Sequence, residues 1–479
     1  MISDIYRIGS GSLLYLLLFT ATAGAQNAGI TGVVSDDTGG VLPGVTVEAT
    51  SPVLIEGVRV VFTDGEGRFS IIDLRPGVYD VTFTLPGFSV IRREGIELGA
   101  GFTATVSADM QVGGIEETIT VTGESPLVDV QNVRRQTSVT NEVLELLPTS
   151  NKHINTVVTF TAGFTGLADV GGQYTCQLGG GCGTSEGFHG KKGSKVNMDG
   201  MGMENMSGVG NSSYVLNAAS VEEMVLQTSG ISADTNSDGP VLNIIPKEGG
   251  NSFSGTFLGT YSNDAMESNN LTDRLKALGL STPNVTTRIF DKSVSLGGPI
   301  VQDRAWFFGA ARSWGYGRNH AGSFWNKTQD PSFDLSPAGG AVVVPWTPWT
   351  DRPEDRVSGR WQWTQSFLAR LTFQASTANK FNVTLDTQEA CNCGSRSSSQ
   401  AHAESFSYRF DPNRLYQLAY TGTLSSRVLV EAGIGATISH WHQFRMPYVT
   451  EDHVMVRDYG TGQAWGARET YIGHPNDSD

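Results

Sequence analysis

Between Gly239 and Tyr261 the chain reads Gly-Pro-Val-Leu-Asn-Ile-Ile-Pro-Lys-Glu-Gly-Gly-Asn-Ser-Phe-Ser-Gly-Thr-Phe-Leu-Gly-Thr-Tyr, a short apolar strand, a Gly-rich break and a new alternating strand. This junction separates two kinds of β structure. Upstream, turn signals recur every few residues, as in small mixed domains. Downstream, amphipathic strands come in pairs, joined alternately by short turns and long polar loops. With 58 glycines and only 17% charged residues in 479, the composition also favours β structure over a helical fold.

Three hairpins stand out after Gly250. Ile289 to Leu296 and Trp306 to Ala311 flank a turn at Gly297-Gly298-Pro299. Phe367, Ala369, Leu371 and Phe373 run into Phe381, Val383 and Leu385 across Thr377-Ala378-Asn379. Tyr416, Leu418 and Tyr420 lead through Ser425-Ser426-Arg427 to Val428, Val430, Ala432, Ile434, Ala436 and Ile438. The connecting stretches, Ser262 to Thr287, Trp314 to Gln365 and Gln388 to Asn413, far exceed the ~4 to 6 residues usual in compact domains. Apolar residues on one face, polar or small ones on the other, and loops long on one side only predict a transmembrane β-barrel over a soluble sandwich or propeller. Trp306, Trp314, Tyr316, Trp361, Trp363 and Trp441 lie near strand ends, where they suit either the aromatic girdles of a membrane interface or a packed core.

The N-terminus supports export. Arg7, the apolar run Leu13 to Phe19 and Ala23-Gly24-Ala25 form the three sections of a signal peptide over residues 1–25. Leu13 to Thr22 is shorter than the ~20 apolar residues of a spanning helix, and no later segment is apolar enough, so membrane crossing falls to a barrel. A net charge of −15 and a pI near 5.0 exclude a nucleic-acid partner, which requires a basic face. Export also permits local disulfides within the close pairs Cys176 with Cys182 and Cys391 with Cys393. Neither pair has the C-x-x-C spacing of structural zinc sites.

Residues 28–112 read as a β-sandwich: turns at Asp36-Asp37-Thr38-Gly39-Gly40, Pro43-Gly44, Asp64-Gly65-Glu66-Gly67, Pro76-Gly77 and Pro86-Gly87 separate short strands. Tyr79, Val81, Phe83 and Leu85 alternate with polar residues, as do Ala104, Val106, Ala108, Met110 and Val112. Asp64 to Gly67 is a hairpin turn, lacking the ligand set of a calcium loop. Residues 113–123 form a linker containing the β-branched segment Thr118, Ile119, Thr120 and Val121. It is either a connector strand on a neighbouring domain or a strand that adds to another protein's sheet. Residues 124–250 read as a mixed α/β domain. Thr140 caps a short helix with Leu144 and Leu147 inward and Pro148 as its stop, and a second helix is expected from Ser220 with Val221 and Met224 inward, followed by strands near Val225 and Val241. Residues 251–479 carry the barrel strands.

No H-E-x-x-H, G-x-S-x-G or P-loop is present. Gly179 to Gly183 lacks the flanking strand and Lys of a phosphate cradle, Lys191, Lys192 and Lys195 read as a solvated patch, and His440 and His442 share a strand face without a third ligand. The reading is a non-enzyme with no catalytic, cofactor or metal site.

These stretches together resemble a known family, the TonB-dependent outer-membrane receptors of the Oar-like type with an N-terminal carboxypeptidase-regulatory-like domain. The resemblance rests on Gly32-Val33-Val34 with Leu42-Pro43-Gly44-Val45, Thr63-Asp64 with Gly67-Arg68-Phe69, Leu74 with Pro76-Gly77, Glu117 to Gly123, Leu147-Pro148, Asp199-Gly200, Val221-Glu222-Glu223, the junction, and Ser295 to Ile300 with Asp303-Arg304 and Trp306-Phe307-Phe308. It implies a mainly β fold: a periplasmic sandwich without peptidase activity, a plug over residues 124–250, and the N-terminal part of a barrel in the outer membrane. It also implies active transport of a bulky ligand (siderophore, glycan or peptide), a TonB-type energy-coupling partner, and Thr118 to Val121 as the TonB-box candidate. Lys152, where the family often has Arg, and Ala162, where Pro is common, depart from the pattern. From Gly255 about 225 residues remain, against ~22 strands of ~10 residues in a plugged transporter barrel, so an incomplete barrel is expected. The alternative is a cell-surface adhesion protein whose sandwich and loops contact glycans.

Overall fold

The computed structural model describes residues 28–54, 57–99, 102–113, 118–121, 135–146, 161–165, 187–189, 191–192, 195–203, 214–231, 235, 239–279, 283–324, 357–376, 378–393, 406–425, 428–445, 456–457, 464–465 and 476–478. The signal segment 1–25, Leu147, Pro148, Lys152, Ala162's neighbours 151–160, Gly179 to Gly183, Cys176 and Cys182 lie outside the described residues, apart from Ala162 itself. The protein is mainly β.

The first unit contains β1 (Ala28–Asp36), β2 (Thr46–Thr50), β3 (Val58–Phe62), β4 (Arg68–Leu74), β5 (Gly77–Thr84), β6 (Val90–Leu98), β7 (Thr103–Thr105), β8 (Ala108–Met110) and β9 (Thr118–Val121). One sheet runs β4-β1-β7, with β8 also on β1, and the other runs β3-β2-β5-β6-β9. Alternation explains the packing: Tyr79, Val81 and Phe83 are fully buried while Asp80, Thr82 and Thr84 face outward, and Phe69 meets Phe83 edge-on at 5.5 Å. Ala104, Val106, Ala108 and Met110 are inward as expected, but Val112 is exposed beyond the end of β8. The stretch is two strands because it steps along β1 at Gly32, where a side chain would collide with the Val106 carbonyl. The Asp64 turn is a hairpin closure: its Oδ1 accepts from the Glu66 and Arg68 amides, and Gly67 takes φ +68°.

The middle unit contains β10 (Arg135–Thr140), α1 (Asn141–Leu146), β11 (Phe164–Thr165), β12 (Gly187–Phe188), β13 (Lys191–Lys192), β14 (Lys195–Met198), β15 (Met201–Gly202), β16 (Val221–Ser229) and β17 (Val241–Pro246). Its main sheet runs β10-β16-β17-β14-β15, with β14 parallel to β17. The helix at Thr140 forms and buries Leu144. The helix expected from Ser220 does not. A single 3-10 turn, Ala218–Ser220, capped by Asn217, feeds directly into β16. β16 lies between β10 and β17, and its β-branched and apolar residues, Val221 to Gln227, are buried almost throughout, so sheet pairing overrides the weak helical spacing.

The third unit is an antiparallel wall: β18 (Ser254–Asn263), α2 (Asp273–Ala277), β19 (Val285–Val301), β20 (Ala305–Phe324), β21 (Val357–Ser376), β22 (Asn379–Cys393), β23 (Phe406–Ser425) and β24 (Val428–Arg445). β25 (Val456–Arg457) and β26 (Ala464–Trp465) pair apart from it, and β27 (Asn476–Ser478) adds to β24. Sheet order follows chain order from β18 to β24 and then β27, and among the described residues the two outer strands do not meet, so the wall is open. Gly297-Gly298-Pro299 is not the expected turn. β19 runs through it to Val301, with Gly298 lying where a Cβ would collide with the Phe253 ring, and the chain reverses at Asp303, φ +59°. The strands are also longer than read, extending into the expected loops to Phe324, from Val357, to Cys393 and from Phe406.

The two wall faces differ as the alternation demands. Phe367, Leu371, Phe373, Leu385, Leu418 and Ile434 are exposed on one face, Ile434 at 70%. Ser366, Arg370, Thr372, Thr384, Asp386, Gln388, Asn413 and Gln417 are buried on the other, against the middle unit. Trp306, Trp314 and Tyr316 take the core reading and not the girdle one. All three are buried, with Trp314 and Tyr316 in the core shared with the middle unit. Trp361 does lie toward the opposite face, stacked on Phe290 at 5.8 Å with the Arg288 guanidinium 3.2 Å from its ring centre.

Candidate functional site

The junction that opens the wall also anchors the middle unit. After β17, Glu248 turns into a charge cluster assembled from all three units. Arg370 of β21, 2% exposed, donates to Glu248 at 2.8 Å, to Thr384 at 3.0 Å and to Asp199. Lys380 of β22 stands 3.7 Å from Glu248, and Arg75, in the turn between β4 and β5, donates to the same carboxylate. Asp199 reaches Arg370 because Asp199-Gly200 is a two-residue hairpin with φ +49° and +75°, the conformation that Asp-Gly favours between β14 and β15. The Gly200 amide fastens that turn to Asn243 of β17 at 2.9 Å. Tyr79 fixes the Arg75 backbone by donating its hydroxyl to the Arg75 carbonyl at 2.7 Å. Burial works to raise the Glu248 pKa, but the charges of Arg75, Lys380 and Arg370 outweigh it and hold the carboxylate well below its usual range. A cavity of about 610 Å³ lies beside the cluster, between Ser51 to Leu54 of the sandwich, Ile245 to Gly250, and the wall at Lys380 and Thr421.

The second contact is a hydrogen-bond network around the Asp386 carboxyl group. Tyr214 donates to Asp386 at 2.5 Å, Asn217 to Ser366 at 3.0 Å, and Ser366 to Asp386 at 3.0 Å. Gln388 is bidentate to the Val215 backbone, accepting from its amide at 3.0 Å and donating to its carbonyl at 2.6 Å. Gln417 donates to the Met198 carbonyl at 3.2 Å. The wall's polar row therefore serves to seat the segment Tyr214–Asn217 and the β14 end. Individually such exchanges are worth only about 0.5–1.5 kcal/mol net, yet leaving one buried group unmade costs about 1–3 kcal/mol. Within the wall, Asp291 and Arg312 form a buried bidentate pair at 3.0 and 2.7 Å, with Arg312 over Trp314.

Thr118, Ile119, Thr120 and Val121 form β9, paired in parallel with β6: Val90 opposite Thr118, Ile91 opposite Ile119, Arg92 opposite Thr120 and Arg93 opposite Val121. The segment thus takes the connector placement in this structure. Cys391 and Cys393 are disulfide-bonded on β22. Among the described residues no three His, Cys, Asp or Glu side chains gather as a metal site.

Arg75, Glu248, Arg370, Tyr214, Asp386 and Gln388 were not singled out by sequence. A signal existed for the wall residues. Phe367, Ala369, Leu371 and Phe373 define the apolar row of β21, which forces Arg370 onto the opposite face, where a charge needs partners. Nothing local marks Arg75.

Residues 29–111 match the carboxypeptidase regulatory-like domain family. Over 299 residues the chain is 26% identical to the TonB-dependent transporter Oar of Myxococcus xanthus, an alignment covering 61% of this chain and 27% of that protein. The chain therefore spans about a quarter of the length of that curated relative. Among solved structures, the outer membrane transporter YddB from Escherichia coli superposes with a TM-score of 0.43 at 13% identity, covering 69% of this chain and 43% of that one. The siderophore receptor PirA from Acinetobacter baumannii gives 0.41 at 14% identity, covering 68% and 42%. By motif order and by sequence, the chain is similar to the TonB-dependent transporters of the Oar type and carries a carboxypeptidase regulatory-like domain at its N-terminal end.

Proposed function

We propose that this protein is an outer-membrane receptor for TonB-dependent active transport of a bulky ligand, a transporter and not an enzyme. In this reading the wall is barrel wall in lipid, the middle unit is the plug, the sandwich lies in the periplasm, and Thr118 to Val121 engages a TonB-type coupling protein. The carrying observation is the two-faced wall: an apolar outer row, Phe367, Leu371, Phe373, Leu418 and Ile434, suits lipid, while inner-row side chains such as Asp386 and Gln388 hydrogen-bond another part of the same chain. The wall meets that separate part through both a shared apolar core and this polar row, and the hydrogen bonds and ion pairs of the row can be exchanged for water.

The sequence relationship to a TonB-dependent transporter supports the coupling step. Its test is Ile119→Pro in the full chain, which removes a strand hydrogen-bond donor. Binding to the periplasmic domain of the coupling protein should be lost in a pull-down from outer membranes. Unchanged binding refutes this segment as the coupling site.

A further inference from the structure

We propose that the β6 edge of the sandwich is a cradle that holds strand 118–121 and so gates its availability to the coupling partner; this rests on the assignment of that strand under Proposed function. Four observations point to it. β6 would otherwise be the edge of the sheet β3-β2-β5-β6, with its outward backbone groups unpaired. β9 covers that edge in register over Val90 to Arg93. The cover is only four residues long and parallel, the weaker mode of pairing, so it is suited to release. The sandwich itself is held against the rest of the molecule, since Arg75 joins the Glu248 cluster.

A strand that adds to another sheet must offer a row of backbone N–H and C=O groups. In β9 the row facing β6 is already used. A partner taking that row competes with the sandwich, and its apparent affinity falls in proportion to the fraction of chains in which β9 is free. The domain thereby becomes more than a spacer: it keeps an aggregation-prone β-branched segment paired until a partner removes it, and afterwards presents an open β6 edge. The rival geometry is presentation, in which the partner pairs with the outer row of β9 while β6 still holds it.

The two are separated by tethering. In the full chain, Arg92→Cys with Thr120→Cys places two cysteines at opposed positions of the parallel pair. Arg92 is exposed and its ion pairs with Asp80 and Glu94 are at the surface, so the substitution leaves the core intact. Affinity for the periplasmic domain of the coupling protein is measured in outer-membrane vesicles before and after oxidation, with each single-cysteine chain as control. The cradle predicts that the disulfide forms readily, that oxidation lowers affinity by roughly tenfold or more, and that reductant restores it. Equal or tighter binding in the oxidised chain overturns the gate in favour of presentation. Hydrogen exchange on the wild-type chain gives the independent reading: protected amides within 118–121 without partner support the cradle, and exchange at the rate of an unpaired peptide overturns it. If those amides are protected but the reduced chain binds no coupling protein, the assignment of the segment as the coupling site fails, and the gate fails with it while the contact stands.

Discussion

Gly249 shows how tightly the junction is specified at a single residue. A Cβ there would collide with the Phe307 carbonyl oxygen and stand 2.9 Å from both the Gly298 oxygen and the Phe307 nitrogen. The neighbouring Asn251 explains why the backbone must pass so close. Its side chain donates to Asp303 at 2.6 Å, and accepts from the Asp303 amide at 3.0 Å and the Trp306 indole at 2.8 Å, binding the start of β18 to the β19–β20 turn. Gly249→Ala is therefore expected to destabilise the folded protein by about 1–3 kcal/mol, the usual cost of overpacking. Gly250→Ala, with open space around its Cα, should cost far less. Comparing the thermal midpoints of the two variants in detergent checks this, and equal midpoints would show that the close approach is not needed.

At the level of elements, the segment Tyr214–Asn217 and β22 act as one joint. Tyr214→Phe removes a hydroxyl from a buried carboxylate that keeps Ser366 and Gln388 as donors. The expected cost is about 1–3 kcal/mol, and it should appear as faster amide exchange across Val215 to Ser220 with the sandwich unchanged. Unaltered exchange in that segment would show that the apolar contacts of Tyr214 seat it alone. This joint also shows what the sequence could tell. Period-two alternation made the β21 to β24 strands and their faces legible, because each row has one environment along its whole length. It also made the sandwich strands legible. What failed was whatever depended on partners distant in sequence. The start of β16 looked helical until flanked by β10 and β17, Trp306 and Trp314 suited an interface as well as a core until covered, and Arg75 acquires its role from Glu248, 173 residues away.

Across the whole molecule, the outer row of the wall and the charge cluster can each be perturbed by itself. In the proposed barrel, burial in lipid acts on the outer row only. Leu371→Arg should cost about 2–4 kcal/mol at the bilayer midplane and reduce the folded fraction in outer membranes, whereas the same protein's sandwich should still resist protease. The charge cluster acts on the sandwich, and its pH dependence has a definite sign. Glu248 has a folded pKa well below the 4.5 of an ordinary glutamate, burial being outweighed by Arg75, Lys380 and Arg370. A lowered pKa means that the folded state binds the proton less tightly than the unfolded one. The stabilisation is thus fully present above about pH 4.5 and is lost only as the pH falls through the lower, folded value. Sandwich docking should therefore be indifferent to pH from 7 down to about 5 and fail in stronger acid. Spin labels at the exposed positions Asp37 and Asn269 would report it as a single distance distribution that broadens below that range. In Glu248→Gln the amide cannot carry the charge that gathers the three cations, so the distribution should be broad at every pH. Broadening of the unsubstituted protein already between pH 7 and 5 would assign docking to a group other than Glu248.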